Sequence, residues 1–346
     1  MKIKLKPIQA QTVVIFGASS GIGRITALDF AKRGAKVAVA SRNEAGLASL
    51  VVEIKAFGGE AFYMTADAAD FNAVKAVADQ AFERYGSLDT WVHCAGTMIF
   101  ASFEKTAPEE FKRLIEVNLL GQVYGAMAAL PLLRKTGGGA LIHVTSVEAY
   151  RTVPFQSAYG SSKHGVKGFL QALRVELQAE GVPIAVSEIM PGAINTPIWD
   201  NGRNKFGFRA RPPVPPIYHP QIVSDAILYA AANEVREMVA GGGAVGVPLA
   251  ERFSPRLTDK ITLLVGLNQF DESLPLSGEP DGLFEIVPGP GVIEGRFSAT
   301  QLMHDPYTWA KTNPRIIKPI LAGIGGLLGS LLVYKILKGP RPRKIA

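Results

Sequence analysis

Short apolar runs alternate with helix-period segments between residues 12 and 189, and this alternation constrains the fold more than any other feature. Because the runs are almost wholly apolar instead of alternating with polar residues, we expect helices to cover both faces of the sheet that they form. Strands separated by helices pair in parallel, so the pattern predicts an α/β protein with a doubly wound parallel sheet. The predicted strands are residues 12–16, 36–40, 61–65, 90–94, 140–145 and 184–189, and the predicted helices are residues 21–33, 45–57, 71–85, 109–134 and 157–179.

Prolines interrupt this pattern after the last of these strands. Residues 195–220 contain six prolines, too many for a helix or a central strand. Such a segment is either an extended linker or a substrate lid, and its length favours the lid. A helix at residues 221–233 and a strand at residues 237–240 would complete a catalytic domain over residues 8–241. Residues 242–314 have many turn formers and weak periodicity, so they are predicted only as a C-terminal extension.

The chain has 37 Lys and Arg against 30 Asp and Glu, and the excess lies at its C-terminal end. Eight basic residues and no acid follow position 310, which leaves 29 basic residues against 30 acidic ones before it. A body this close to neutral argues against a nucleic-acid-binding protein. The single cysteine, Cys94, excludes an internal disulfide and a Cys-rich zinc site, and we predict no metal site. Since no apolar stretch of signal-peptide length precedes the first strand, we expect the catalytic body in the cytoplasm.

Residues 315–338 contain an apolar stretch with lysines at both borders, and residues 339–346 form a basic tail. A helix rises about 1.5 Å per residue, so a segment of this length reaches roughly 30 Å, the thickness of a bilayer core. The alternative is a glycine-rich helix buried in an oligomer interface. We expect an apolar C-terminal helix that associates with membrane lipid and is attracted to an anionic surface.

The first predicted strand runs directly into a glycine-rich turn, Gly17-Ala18-Ser19-Ser20-Gly21-Ile22-Gly23. Glycines at such a turn let the backbone approach a pyrophosphate, and the N-terminus of the following helix attracts its charge. In a chain with 36 glycines this spacing means little alone, and its position between a strand and a helix is what makes it informative.

Ser41 and Arg42 end the second predicted strand, where a nicotinamide site contacts the adenosine ribose. An acid at this position selects NAD, whereas an arginine suits the 2′-phosphate of NADP. We therefore predict NADP(H) over NAD(H). The alternatives are that Glu44 binds the ribose, although a first-turn acid of the next helix is its expected role, and that Arg42 is merely solvated.

Tyr159 and Lys163 lie four residues apart in a predicted helix, so they share one face of it, and Ser146 lies thirteen residues before the tyrosine. A phenol has a pKa near 10, so acting as acid and base near pH 7 requires stabilisation of the phenolate by about 4 kcal/mol. An ammonium about 4 Å away supplies an energy of that order at an effective dielectric constant of about 20. Tyr307 and Lys311 have the same spacing but no strand-end serine before them.

These motifs occur together and in order, and the sequence resembles the short-chain dehydrogenase/reductase family over residues 11–241. The resemblance implies a Rossmann fold and an NAD(P)-dependent enzyme that acts on CH–OH and C=O groups. The matching positions are the three glycines of the turn, Asp67, Cys94-Ala95-Gly96, Asn118, Ser146, Tyr159, Lys163, Pro191-Gly192 and Thr196.

The resemblance also implies roles for single side chains. Tyr159 would be the acid/base, and Lys163 would lower its pKa while holding the nicotinamide ribose. Ser146 would hydrogen-bond the substrate oxygen, and Asn118 would hold a water that relays protons. Tyr159 and Lys163 are also expected to contact the cofactor, with Asp67 at the adenine and Thr196 at the nicotinamide amide. The other expected cofactor-binding residues are Gly17, Ser19, Ser20, Gly21, Ile22, Gly23, Ser41, Arg42, Ala95, Gly96, Pro191, Gly192 and Ile194.

Two positions depart from the family pattern. Phe16 stands where a threonine usually precedes the glycine turn, and His93-Cys94 stands where the family has two asparagines. In the family these polar groups support each other by hydrogen bonds, so apolar packing would have to replace that support here. A lone histidine at a strand end is expected to be structural, and Cys94 is expected to be a small buried apolar residue.

The motifs predict an NADP-dependent oxidoreductase that moves hydride between nicotinamide C4 and a carbonyl or secondary alcohol. Aromatic and apolar residues in the lid favour a lipophilic small-molecule substrate, although its basic residues would also suit an anionic carrier. The alternative function is a non-catalytic NADP-binding regulator or scaffold at a membrane. A homodimer or homotetramer is implied by the resemblance.

Overall fold

A parallel sheet forms the centre of the fold, in a computed structural model that describes residues 3–212, 214–276, 278 and 281–317. The strands are β1 (Thr12–Phe16), β2 (Lys36–Ser41), β3 (Glu60–Thr65), β4 (Thr90–His93), β5 (Ile99–Phe100), β6 (Gly139–Val144), β7 (Ile184–Pro191), β8 (Arg203–Asn204), β9 (Phe208–Ala210), β10 (Glu237–Ala240) and β11 (Phe270–Pro275). The helices are α1 (Gly21–Lys32), α2 (Glu44–Ala56), α3 (Phe71–Tyr85), α4 (Pro108–Ile115), α5 (Gly121–Thr136), α6 (Ser157–Ala179), α7 (Ile198–Asn201), α8 (Gln221–Ala232), α9 (Gly246–Phe253), α10 (Pro255–Gly266) and α11 (Pro306–Thr312).

Local sequence signals set the ends of α3, which begins and ends at the predicted residues. Asp70 caps this helix by accepting hydrogen bonds from the N–H groups of Asn72 and Ala73. Gly86 follows its last turn with φ +78°, in the left-handed region that glycine adopts at low cost. The predicted helix at residues 109–134 is α4 and α5 joined by a π-helical stretch, Glu116–Leu120.

The seven strands of the sheet lie in the order β10-β7-β6-β4-β1-β2-β3. The chain builds outward from β1 to β3 and then returns to place β4 on the other side of β1, which creates a switch point between β1 and β4. Open α/β sheets bind ligands at such a point, beyond the carboxyl ends of the strands. Phe16 pairs with Ala40 on one side and with His93 on the other, so the turns after β1 and β4 lie side by side.

Helices cover both faces of the sheet, as its apolar strands predict. Val37 and Ile142 belong to one core together with Phe30 of α1. Trp91 belongs to the core on the opposite face together with Val77 of α3. Every residue of β1 and β7 is buried, and burying a large apolar side chain stabilises the fold by roughly 1.5–3 kcal/mol.

Residues 195–220, which the sequence predicts as a lid, pack against the C-terminal extension. In the lid, β8 pairs with β5, and β9 pairs antiparallel with β11 of the extension through Phe270 and Ala210. Asp305, which caps α11, accepts the Gly242 N–H at 3.0 Å. The extension, for which the sequence predicts no elements, therefore returns to the catalytic body and holds the lid.

The predicted membrane helix at residues 315–338 and the basic tail at residues 339–346 lie outside the described residues, apart from positions 315–317. Within the part of the chain that is described, no helix has both the length and the apolar character needed to cross a bilayer.

Candidate active site

The turn between β1 and α1 leaves no room for side chains at its glycines. Gly17 has φ +88°, and a Cβ there would lie 2.4 Å from the Ala95 backbone nitrogen. A Cβ on Gly23 would lie 2.1 Å from the Gly17 carbonyl oxygen. The Ser20 side chain does not cap α1, so the N–H groups of the first turn are left to other partners, a role that an anion can fill.

A cavity of about 370 Å³ extends from this turn across the carboxyl ends of β1, β2 and β4. Glycines line the base of this cavity, so a ligand can approach the backbone there. A dinucleotide, whose pyrophosphate needs such an approach, fits this lining. The predicted cofactor residues that line it are Gly17, Ser19, Ser20, Gly21, Ile22, Gly23, Ser41, Arg42, Asp67, Ala95, Gly96 and Thr196. The remaining five, Tyr159, Lys163, Pro191, Gly192 and Ile194, line the neighbouring cavity.

Residues 282–292 of the extension, here called the cover segment, contribute one wall of the dinucleotide cavity. The Gly21 N–H donates to the Val292 carbonyl at 2.8 Å, and the Arg42 guanidinium donates to the Gly282 carbonyl at 2.5 Å. The sequence does not predict that this segment lies at the cavity. Its contacts are made by backbone carbonyls, which every residue has, so no particular side chain indicates them.

Asp67 lies at the adenosine end of the cavity beside two guanidinium groups. It pairs with Arg113 of α4 at 2.5 Å and accepts the Ala69 N–H at 2.9 Å. Burial acts to raise the pKa of Asp67, but the hydrogen bonds from Ala69 and Arg113 and the nearby Arg42 charge outweigh it and lower the pKa. Arg113, which the sequence does not single out, therefore stands with Arg42 at this end.

A second cavity, of about 490 Å³ and mostly apolar lining, contains three of the four predicted catalytic residues, Ser146, Tyr159 and Lys163. The two cavities meet at residues that line both, which is where a nicotinamide ring would lie. These shared residues are Ile22, Cys94, Gly96, Thr196 and Ile198.

Lys163 is buried beside Tyr159 on α6. Its Nζ lies 5.3 Å from the centroid of the tyrosine ring and donates to the Val144 carbonyl at 3.3 Å. The Ser146 hydroxyl accepts the Glu148 N–H at 3.1 Å and lies near enough to Tyr159 to lower the pKa of its phenol. The predicted serine, tyrosine and lysine therefore converge on one side of the apolar cavity.

Asn118 lies in the π-helical stretch and is completely buried. Its Oδ1 accepts the Thr97 N–H at 2.8 Å, and its Nδ2 donates to the Thr97 carbonyl at 2.9 Å. A Cβ built on Gly96 would lie 3.5 Å from Asn118 Oδ1 and 3.8 Å from Lys163 Nζ, so the asparagine and the lysine border the same glycine. Single π-helical turns occur frequently at functional sites.

A family model described as short chain dehydrogenase matches residues 11–206, more than half of the chain. The chain belongs to the short-chain dehydrogenase family. The sheet order and the convergence of Ser146, Tyr159 and Lys163 agree with this membership.

Known proteins place this short-chain dehydrogenase among oxidoreductases. The uncharacterized oxidoreductase YxnA of Bacillus subtilis (strain 168) is 37% identical over 261 residues, which are 75% of this chain and 73% of that protein. The uncharacterized oxidoreductase Lmo0432 of Listeria monocytogenes is 34% identical over 198 residues, 57% of this chain and 80% of that protein. The alcohol dehydrogenase of the archaeon Thermococcus sibiricus, solved with 5-hydroxy-NADP, has a TM-score of 0.58 and 27% identity, covering 66% of this chain and 95% of that one. The protein is thus an NAD(P)-dependent dehydrogenase or reductase with a Rossmann-like fold.

Burial dominates the electrostatics of the apolar cavity in this dehydrogenase. It lowers the pKa of Lys163 to about 8. It also raises the pKa of Tyr159, with a further increase from the Glu148 charge and a decrease from the hydrogen bond with Ser146. The resemblance implies that Lys163 lowers the pKa of Tyr159, but in the protein without cofactor the pKa of Tyr159 is raised.

Glu148 is a buried carboxyl group that lines the apolar cavity and that the sequence motifs do not indicate. Burial raises its pKa to about 8, against the Val153 N–H hydrogen bond and the Lys163 charge, which lower it. Its Oε2 accepts that N–H at 3.3 Å. Glu148 lies two residues after Ser146, so its position near the site is visible in the sequence. Its burial is not, because the segments that bury it are distant in sequence.

The two departures from the family pattern form an aromatic stack. The rings of Phe16 and His93 are stacked with centroids 5.3 Å apart and an interplanar angle of 9°, and His143 stacks beyond His93 at 6.2 Å. Burial lowers the pKa of both histidines and raises the pKa of Cys94 to about 12, so these groups are neutral near pH 7. Ring packing therefore replaces the polar support between the two turns, and His93 is structural.

Proposed function

We propose that this short-chain dehydrogenase is an NADP(H)-dependent oxidoreductase that interconverts a lipophilic ketone or aldehyde and its alcohol. The observation that supports it most is the meeting of two cavities. One is a glycine-lined cleft that contains Arg42 and Asp67, and the other is the apolar cavity that contains Ser146, Tyr159 and Lys163. When bound, the nicotinamide would supply or accept the hydride.

The residues of the apolar cavity would carry out the proton transfer and the binding of the substrate oxygen. Ser146 and Tyr159 hydroxyls would hydrogen-bond the substrate oxygen, and Tyr159 would donate its phenolic proton to that oxygen during reduction. Lys163 would hold a positive charge beside the phenolate that forms, and Asn118 would fix the backbone next to Lys163 through Thr97. Apolar walls would exclude water and so strengthen these interactions.

Glu148→Gln is expected to move the acidic limb of the kcat/KM profile for alcohol oxidation, where activity rises as Tyr159 loses its proton, to lower pH. The Glu148 carboxylate raises the pKa of Tyr159, so removing that charge makes the phenol easier to deprotonate. Rates measured across pH 6 to 10, an interval of about 2 units on each side of the Glu148 pKa, would test this. Glu104→Gln, at an exposed position, is the matched control, and an unshifted limb in Glu148→Gln would contradict the coupling.

The proposed preference for NADP(H) rests on the adenosine end of the cleft. Arg42 and Arg113 lie there with Asp67, and the three Arg42 donor contacts are to backbone carbonyls of the cover segment, which are weaker partners than a phosphate. The structural neighbour from Thermococcus sibiricus is complexed with 5-hydroxy-NADP, which supports the same cofactor. We infer that a 2′-phosphate would replace these carbonyls at the Arg42 guanidinium.

Arg42→Ala is expected to lower kcat/KM for NADPH about 10- to 100-fold, the cost of a lost charged hydrogen bond, with little change for NADH. The measurement is the ratio of the two kcat/KM values. Asn43→Ser is the matched control, because Asn43 also donates to the cover segment, at Val287 and Gly289, and serine keeps the cap of α2. If both variants change the ratio equally, the cover segment and not the Arg42 charge sets the preference.

The lipophilic substrate class follows from the second cavity. Trp199, Val147 and Val153 line it, and Trp199 stacks on Phe100 with centroids 6.0 Å apart. We also propose that residues 315–338 associate with membrane lipid, which would bring the protein close to such a substrate.

A homologous series of alkyl ketones and aldehydes tests the proposed function. Each added methylene that enters the cavity should raise kcat/KM about 3- to 4-fold until the cavity is filled, since a buried methylene is worth about 0.8 kcal/mol. Initial rates of NADPH and NADH oxidation give the values. Absence of turnover with either cofactor across the series, or rates that fall from the shortest chain onward, would contradict the proposal.

A further inference from the structure

The helical pair α9–α10 exposes a row of large apolar side chains on the outside of the substrate cavity. Leu249 and Phe253 of α9 are 60% and 78% exposed, and Leu257, Ile261 and Leu264 of α10 are 56%, 50% and 71% exposed. Spacings of three and four residues place the members of each helix on one face of it. We call these five side chains the outer face.

Such a face is unusual for a helix that packs on a soluble domain. No residue of α9 is buried, so its apolar side chains do not contribute to a core. Single exposed apolar residues are ordinary, but a contiguous exposed group marks an interaction surface.

Charged side chains next to the outer face give it a net positive charge. Arg252, Arg256 and Lys260 are exposed, follow a four-residue spacing, and have no acidic partner among the described residues. The acids of the same helices, Glu251 and Asp259, instead pair with Arg151. The surface therefore combines bulky apolar groups with unpaired cations, which is the chemistry that binds anionic lipid.

The outer face is continuous with the substrate cavity. Val247 and Ala250 of α9 and Thr258 and Thr262 of α10 line the cavity that contains Tyr159. Ile261 belongs to both, because it lines the cavity and is half exposed. An apolar molecule that leaves a lipid surface at Ile261 would enter the cavity without crossing water.

We propose that the outer face lies on an anionic membrane surface and that lipophilic substrate passes from the lipid past Ile261 to Tyr159. The surface binding stands on exposure and charge, whereas the passage of substrate rests on the proposed function. This surface differs from the apolar segment at residues 315–338, which could anchor the chain without the outer face touching lipid.

Site-specific quenching in the full chain separates these two modes of attachment. A fluorophore on Phe253→Cys should lose most of its emission with vesicles of phosphatidylcholine and phosphatidylglycerol that contain brominated acyl chains, because the label enters the acyl region. The matched control is a label on Val52→Cys of α2, which is 68% exposed on another surface and should remain bright. The parent chain sets the background, since the raised pKa of Cys94 slows its labelling.

Reversal of the cations tests the electrostatic part. Arg252→Glu, Arg256→Glu and Lys260→Glu together should abolish quenching at position 253 and raise KM for a vesicle-borne long-chain ketone. They should leave kcat and KM for a short soluble ketone unchanged. Added salt should weaken quenching in the parent charge background.

Several results would overturn the proposal. One is an unquenched label at position 253 while the chain co-floats with vesicles, which would assign attachment to the C-terminal segment. Another is a label at position 253 that is already shielded from solvent before vesicles are added. Shielding at all protein dilutions would mean that the chain's own tail covers the outer face, and shielding only at high protein concentration would mean that a second copy covers it. Quenching without turnover of any ketone or aldehyde tested would uphold the surface and refute the proposed lipophilic-substrate activity instead.

Discussion

Tyr159→Phe is expected to lower kcat by about 10²- to 10⁴-fold, the contribution typical of a positioned acid/base, while NADPH affinity stays nearly unchanged. The substitution removes the phenolic hydroxyl near Ser146 and keeps the ring beside Lys163. Single-turnover rates and fluorescence titration of NADPH would measure the two quantities separately.

Tyr307→Phe is the matched control for this variant. Tyr307 has the same four-residue spacing to a lysine, and Lys311 Nζ lies 5.7 Å from its ring centroid, close to the 5.3 Å in the proposed pair. It does not line either cavity, so its loss should leave kcat unchanged. Full activity of Tyr159→Phe would refute the acid/base assignment, and loss of NADPH binding in it would indicate a structural role.

Sequence periodicity and local end signals predict the sheet, its helices and the convergence of the candidate site. The ends of α3 follow from an Asp70 cap and a Gly86 in the left-handed region, both of which act within one turn. Ser146, Tyr159 and Lys163 come together because β6 ends and α6 begins at the same edge of the sheet.

The cover segment shows what such patterns cannot predict. Arg42 and Gly282 are 240 residues apart, and the contact uses a backbone carbonyl that any residue could offer. Glu148 poses the same problem, because its chemical identity is visible in the sequence but its burial is set by the distant segments that line the cavity. Long-range backbone contacts and burial emerge only from the folded chain.

The buried histidine pair should make the free energy of unfolding fall steeply as pH drops below about 6.5, the usual pKa of an unfolded histidine. Burial lowers the pKa of His143 to about 3 and that of His93 well below its usual value. Between the two values the unfolded chain binds protons that the folded chain does not, so stability is complete above pH 6.5 and is lost on acidification. Each imidazole contributes a slope of about 1.4 kcal/mol per pH unit.

Urea unfolding at a series of pH values, without cofactor, would give this slope, and variants would assign it. The double variant Phe16→Thr with His93→Asn replaces the stack by the polar residues typical of the family and should reduce the slope by about 1.4 kcal/mol per pH unit. Phe16→Thr alone keeps both histidines and should keep the slope, whatever it does to stability at pH 7. If the double variant has the same slope as the parent protein, His93 takes up a proton in the folded chain. Its surroundings oppose that, because its ring is stacked between two aromatic rings and its nitrogens have no hydrogen-bond partner within the described residues.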